Sequence, residues 1–222
     1  MKKYKDGFAI LEGCVVIIVL SIIISCIVSL KYTFKQTKNI KLLAQIQEIL
    51  NASSSFKEQY GGIAGDMTNT QNAGISVINL DGNGNDIIDI NDEINEDILF
   101  WRQLYSTGLL KRKNGENNPS SVIDSNIFYT VFSHEGKNYL HLGKLMQDNK
   151  LIFSDKILTP LEAFYIDDKI DIGTPDEGDV LAVNGSDIND FFNTRPSTDC
   201  VMEHTYNIKH QGKSCQLIIE LK

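Results

Sequence analysis

The sequence predicts an α+β fold: a long N-terminal helix, membrane-spanning in its first half, packed on a head with an antiparallel β-sheet, short helices and an acidic loop. Three observations predict it. Residues 8–30 are almost wholly apolar. Leu42, Ile46, Ile49, Leu50, Phe56 and Tyr60 recur at the three- and four-residue steps of an amphipathic helix. The apolar runs 127–132 and 139–142 flank a Glu135-Gly136 turn, as in a β-hairpin.

The 222 residues suffice for one domain with its own core beside the N-terminal helix. A hydrophobic fraction of 42% and a charged fraction of 23% are ordinary for a globular chain. The formal net charge of −8 argues against nucleic acid as a partner, because phosphate binding needs clustered Lys and Arg. It suits metal cations.

At about 1.5 Å per residue, segment 8–30 rises ~34 Å as a helix, enough for a bilayer core. A short leader, 1–7, precedes it and carries Lys2, Lys3 and Lys5. No small-residue cleavage site follows the apolar core, so a removed signal peptide is not indicated and a simple signal anchor is the plain reading. Lys31, Lys35, Lys38 and Lys41 balance the leader lysines and leave orientation undecided. Glu12 does not suit a plain anchor, because a carboxylate inside an apolar span is costly. One helix over 8–60 is expected, with 31–60 as its amphipathic half, until Gly61-Gly62 stops it.

The head, 61–222, opens on a loop rich in Gly, Asn and Thr. A helix is expected over 92–107, with Ile94, Ile98, Trp101 and Tyr105 on one face and Gly108 after it. The hairpin follows. Thr159-Pro160-Leu161-Glu162 forms a capping box with proline at the first helical position, opening a short helix to about Ile170. Residues 206–210 and 215–221 read as a closing hairpin around Gly212.

The stretch Gly7-Phe8-Ala9-Ile10-Leu11-Glu12 resembles the processing site of type IV prepilins. The chain is thereby similar to type IV pilin-like proteins and type II secretion pseudopilins. The resemblance implies cleavage after Gly7 by a prepilin peptidase and N-terminal methylation of Phe8. It also implies assembly into a filament through Glu12, whose carboxylate pairs with a neighbour's amino terminus. Low dielectric makes such a partner necessary for each charge. The implied partners are other pilin or pseudopilin subunits, the peptidase, and inner-membrane assembly machinery with a motor ATPase. The implied location is the inner membrane, single-pass, with the head in the periplasm or on a cell-surface filament.

The head extends the likeness. Tyr60-Gly61-Gly62-Ile63-Ala64-Gly65-Asp66-Met67 is similar to a Tyr-x-x-x-Pro-Gly-Asp-Met stretch, with Ala64 in place of proline. Phe100-Trp101-Arg102-Gln103-Leu104 followed by Gly108 resembles a Trp-x-His-Leu segment, with Gln103 in place of histidine. Ile166-Asp167-Asp168-Lys169-Ile170-Asp171, then Gly173 and Pro175, resembles an Ile-Asp-x-Lys-Ile-Asp-Asp-Gly-x-Pro stretch, from which Ile172 departs.

Asp81-Gly82-Asn83-Gly84-Asn85-Asp86-Ile87-Ile88-Asp89-Ile90-Asn91-Asp92 matches an EF-hand-like calcium loop. Asp81, Asn83 and Asn85 hold positions one, three and five. Ile87 offers its carbonyl at seven, Asp89 stands at nine and Asp92 at twelve, where dockerin-like loops also use aspartate. Ile88 is the apolar residue expected at eight. Asp86 replaces the usual glycine at six, a position that wants positive φ. The alternative is a solvated, Asx-rich turn that leads into a helix.

Cys200 and Cys215 are expected to form a disulfide in an oxidising compartment, Cys200 reaching in from a loop; two free thiols are the alternative. Cys14 and Cys26 read as packing residues. His134, His141, His204 and His210 have no metal-ligand spacing, and no nucleophile elbow, P-loop or dinucleotide fingerprint occurs. The chain therefore reads as a non-enzymatic filament subunit. The competing reading is a membrane-tethered, calcium-dependent binding module that never polymerises.

Overall fold

The computed structural model describes the backbone of residues 3–75, 81–90, 95–112, 115, 117–145, 151–152, 156–184 and 188–222. Side chains are described over the same residues except 3–11, 27–36, 144–145, 151–152 and 188–190. The chain divides into two compact units, Met1–Ile40 and Lys41–Lys222.

Helix α1 runs unbroken from Lys3 to Tyr60. Gly61 then adopts φ 74°, and its N–H donates to the Lys57 carbonyl, so the expected stop is observed. The membrane expectation is corrected. Among the described residues no helix is long and apolar enough to cross a membrane. A membrane-spanning half over 8–30 and a single-pass inner-membrane location are therefore not supported. In the same segment Val15, Val16, Ile17 and Ile18 are each about half exposed or more, at 51%, 52%, 68% and 58%.

The second unit is α+β. Helix α2, Glu96–Ser106, starts at Asn95, whose side chain accepts from Ile98 N. Strands β1 (Phe128–His134) and β2 (Lys137–Leu145) form the expected antiparallel hairpin. Glu135 and Gly136 at its tip both have positive φ, 48° and 78°. That is the geometry of a two-residue turn matched to strand twist. A short β3, Leu151–Ile152, pairs with the end of β2. Helix α3, Pro160–Ile170, begins with the complete capping box: Glu162 N donates to the Thr159 hydroxyl and Thr159 N to the Glu162 carboxylate.

Strand β4 (Val180–Val183), helix α4 (Ile188–Asn193), the strand pair β5 (Val201–Met202) and β6 (Thr205–Tyr206), and β7 (Gln216–Leu221) complete the chain. The main sheet runs β1-β2-β7-β4. The expected closing hairpin is thus replaced. β7 lies between β2 and β4, while β6 pairs with β5. β7 is buried along Gln216–Ile219 and fits a central position. Residues around 206–208 turn back on themselves, with Ile208 N donating to the Tyr206 carbonyl.

One face of the sheet shares a core with the end of α1 and with α2. Leu42, Ile46, Ile49 and Phe56 of α1 join Trp101 and Leu104 of α2 against Tyr129, Val131 and Leu140. The apolar stripe read from 42–60 is this buried face. Phe132, Tyr139, Val183, Phe191 and Ile218 form a second, smaller core.

Candidate functional site

The acidic loop sits where three chain segments approach closely. Gly65 has φ 92°, and a Cβ there would lie 2.6 Å from the Glu96 carbonyl oxygen and 3.0 Å from Phe100 N. Only glycine lets the 61–67 loop come this near α2. A Cβ on Gly82 would strike the Gly65 carbonyl in turn. Gln103, where the resemblance led one to expect histidine, accepts from Gly65 N through Oε1 at 2.7 Å.

Two buried carboxylates then hold the loop backbone. Asp66 Oδ1 accepts from Gly84 N at 2.7 Å and Asn85 N at 3.0 Å, and its Oδ2 accepts from Asp86 N at 2.8 Å. Glu96 accepts from Asn83 N at 2.9 Å and from Asp89 N at 2.8 Å. Burial raises the Glu96 pKa, and the nearby Asp66 and Asp89 charges add to that rise against the two N–H bonds. Asp86 takes φ 67°, the left-handed conformation its position in the loop requires. Ile88 is fully buried, its N–H donating to Asn138 Oδ1 of β2 at 2.8 Å.

The residues nominated as cation ligands divide. Asn83, Asn85 and Asp89 converge: both amide Nδ2 groups donate to Asp89 Oδ2, each at 2.8 Å. Asp81 does not join them. Its Oδ1 accepts from the Thr70 N–H at 2.8 Å and the Thr70 hydroxyl at 2.7 Å, which lowers its pKa. Ile87 lies in the turn, its N–H on Asn85 Oδ1 at 3.1 Å. Asp92 lies outside the described residues. Among the described residues no group of three or more His, Cys, Asp or Glu side chains is placed to hold a metal ion.

A calcium ion prefers six to eight oxygens. Asp89 offers carboxylate oxygens, but turning the Asn83 and Asn85 amides inward would set each Nδ2 against an N–H that its oxygen now accepts, that of Asn85 at 3.0 Å and of Ile87 at 3.1 Å. Asp81 fits only by sharing its carboxylate with Thr70 or leaving it.

Sequence reasoning missed Asp66 and Glu96 as organisers of the loop. Gly65-Asp66 was visible as part of a motif, but its role depends on an approach across residues 66 to 84. Glu96 was hidden among acids at a helix start.

Of the processing residues, Gly7 and Phe8 lie on α1 with side chains outside the description, and Glu12 is exposed on the same helix. Cys200 and Cys215 form a disulfide with Cα atoms 5.1 Å apart. Cys215 bridges to Leu158, and Cys200 closes a turn just before β5, so Cys200 does reach in from a loop. No family model matches the chain, and no curated protein or solved structure matches it.

Proposed function

We propose that this chain is a pilin-like, non-enzymatic filament subunit, cut after Gly7 by a prepilin peptidase and joined to its neighbours through α1. The observation that carries this reading is Glu12, an exposed carboxylate one turn ahead of exposed apolar side chains on a continuous helix. Cutting after Gly7 makes Phe8 the new terminus, and its ammonium is the natural partner of a neighbour's Glu12 once both leave water. Exposed apolar surface of this extent calls for a covering partner, and α1 of further subunits supplies one. The head's disulfide suits an oxidising compartment. A binding module that never polymerises has no use for Glu12.

Within this reading the acidic loop holds calcium through Asn83, Asn85 and Asp89, with Asp81, the Ile87 carbonyl and Asp92 as further oxygens. The ion would supply local charge balance and fix the approach of α2.

The filament reading is tested with Glu12→Val in a strain that assembles the wild-type chain. The variant should still be cut after Gly7 but should not enter filaments. Incorporation at the wild-type level would remove the pairing role.

A further inference from the structure

Charge is divided unevenly along the chain. Residues 8–41, which remain after a cut behind Gly7, hold four lysines against Glu12, a formal +3. Residues 42–222 hold 14 basic residues against 27 acidic ones, a formal −13. Such asymmetry points to an attraction between the first part of one copy and the head of another.

On α1, Lys38 and Lys41 are exposed and three residues apart, so they share a helix face. The head offers a matching surface around the outer side of α3. Phe164 is 37% exposed and Ile172 60%. Both flank Gly173: Ile172 precedes it in the chain, and Phe164 Cε2 would lie 3.1 Å from a Cβ placed on it. The Phe164 ring also meets Tyr206 edge-on at 6.2 Å. Acids rim this apolar centre. Asp168 is half exposed on α3 and already paired with Lys169 Nζ at 2.6 Å, so a docking lysine shares its carboxylate. His204 on the β5-β6 turn meets Asp176 at 2.5 Å, which ties that turn to the loop after α3. Glu177 and Glu203 lie near the same histidine and, after Asp176, add to the upward shift of its pKa.

We propose that Lys38 and Lys41 of one copy dock on this face of the next copy's head. The lysine stems lie over Phe164 and Ile172 while the ammonium groups reach Asp168, Glu177 and Glu203. The contact joins two different surfaces, so it propagates from copy to copy as a filament requires. It rests on the filament reading and names the partner surface within it.

The test is sedimentation of the chain after cleavage behind Gly7 by a prepilin peptidase, across a salt series, with two charge-reversed variants cut in the same way. One carries Lys38→Glu and Lys41→Glu; the other carries Asp168→Lys, Glu177→Lys and Glu203→Lys. Wild-type association should weaken as salt rises, since surface charges are screened. Each variant alone should associate at least tenfold more weakly, and an equimolar mixture should recover, because every docking pair is again opposite in charge. Circular dichroism reports whether each variant is folded, and Lys38→Gln with Lys41→Gln serves if the reversal is not. If the wild type associates but the reversals change nothing, or the mixture fails to recover, this contact is wrong and the filament reading stands. If the wild type stays monomeric at every salt concentration, both fail.

Discussion

At Asp97 one buried carboxylate meets three donors: Trp101 Nε1 at 3.0 Å, Val131 N at 2.9 Å and Asn118 Nδ2 at 2.9 Å. Desolvation still outweighs them and pushes its pKa up to about 6. The folded state therefore holds this proton more tightly than the unfolded chain. The stability it contributes is complete below about pH 4 and is lost as pH rises through 6. Two pK units correspond to roughly 3 kcal/mol. Asp97→Asn removes that titration, so the stability of the wild type relative to the variant should fall by about this amount between pH 4 and pH 7. Parallel stability curves would show the carboxylate to be unperturbed. Asp167, raised to about 6 by burial, keeps its own slope in both proteins. Asn83 and Asp89 carry the second residue-level prediction. Millimolar calcium should raise the melting temperature by mass action, and magnesium should do less. Asn83→Ala with Asp89→Ala should abolish the response in a folded chain. No calcium-dependent shift in the wild type would return the loop to a solvated turn.

The elements most legible in the sequence were those with local signals. Glu135-Gly136 announced the β1-β2 hairpin, Thr159 to Glu162 announced α3, and the stripe from Leu42 to Phe56 announced the buried face of α1. Elements defined by distant partners were not legible. β7 is central only because β2 and β4 flank it, and nothing in residues 216–221 says which strands those are. β4 and α4 are short and were not expected at all. The acidic loop was half legible. Its spacing gave Asn83, Asn85 and Asp89, but Asp81 turned instead to Thr70, eleven residues away in sequence, and Asp66 and Glu96 took over the backbone. The Cys200–Cys215 bond belongs to this scale. Its loop of 15 residues corresponds to about 3 kcal/mol of chain entropy in the unfolded state. Reduction should lower the unfolding free energy of the chain by roughly that amount in denaturant melts, and a change below about 1 kcal/mol would assign the loop no such restraint.

For the whole molecule, the decisive features are Glu12, the exposed apolar stretch after it, and a head of opposite charge to the N-terminal segment. Among the described residues no helix is long and apolar enough to cross a membrane, so the filament reading rests on subunit contacts and on processing. Processing is the step on which the rest depends, because the amino terminus that pairs with Glu12 exists only after the cut. The most direct measurement is the intact mass of the chain after co-expression with a prepilin peptidase that cuts a control prepilin. The account predicts loss of residues 1–7 and one added methyl group on Phe8. Recovery of only the full-length, unmethylated chain, while the control is cut, would contradict it.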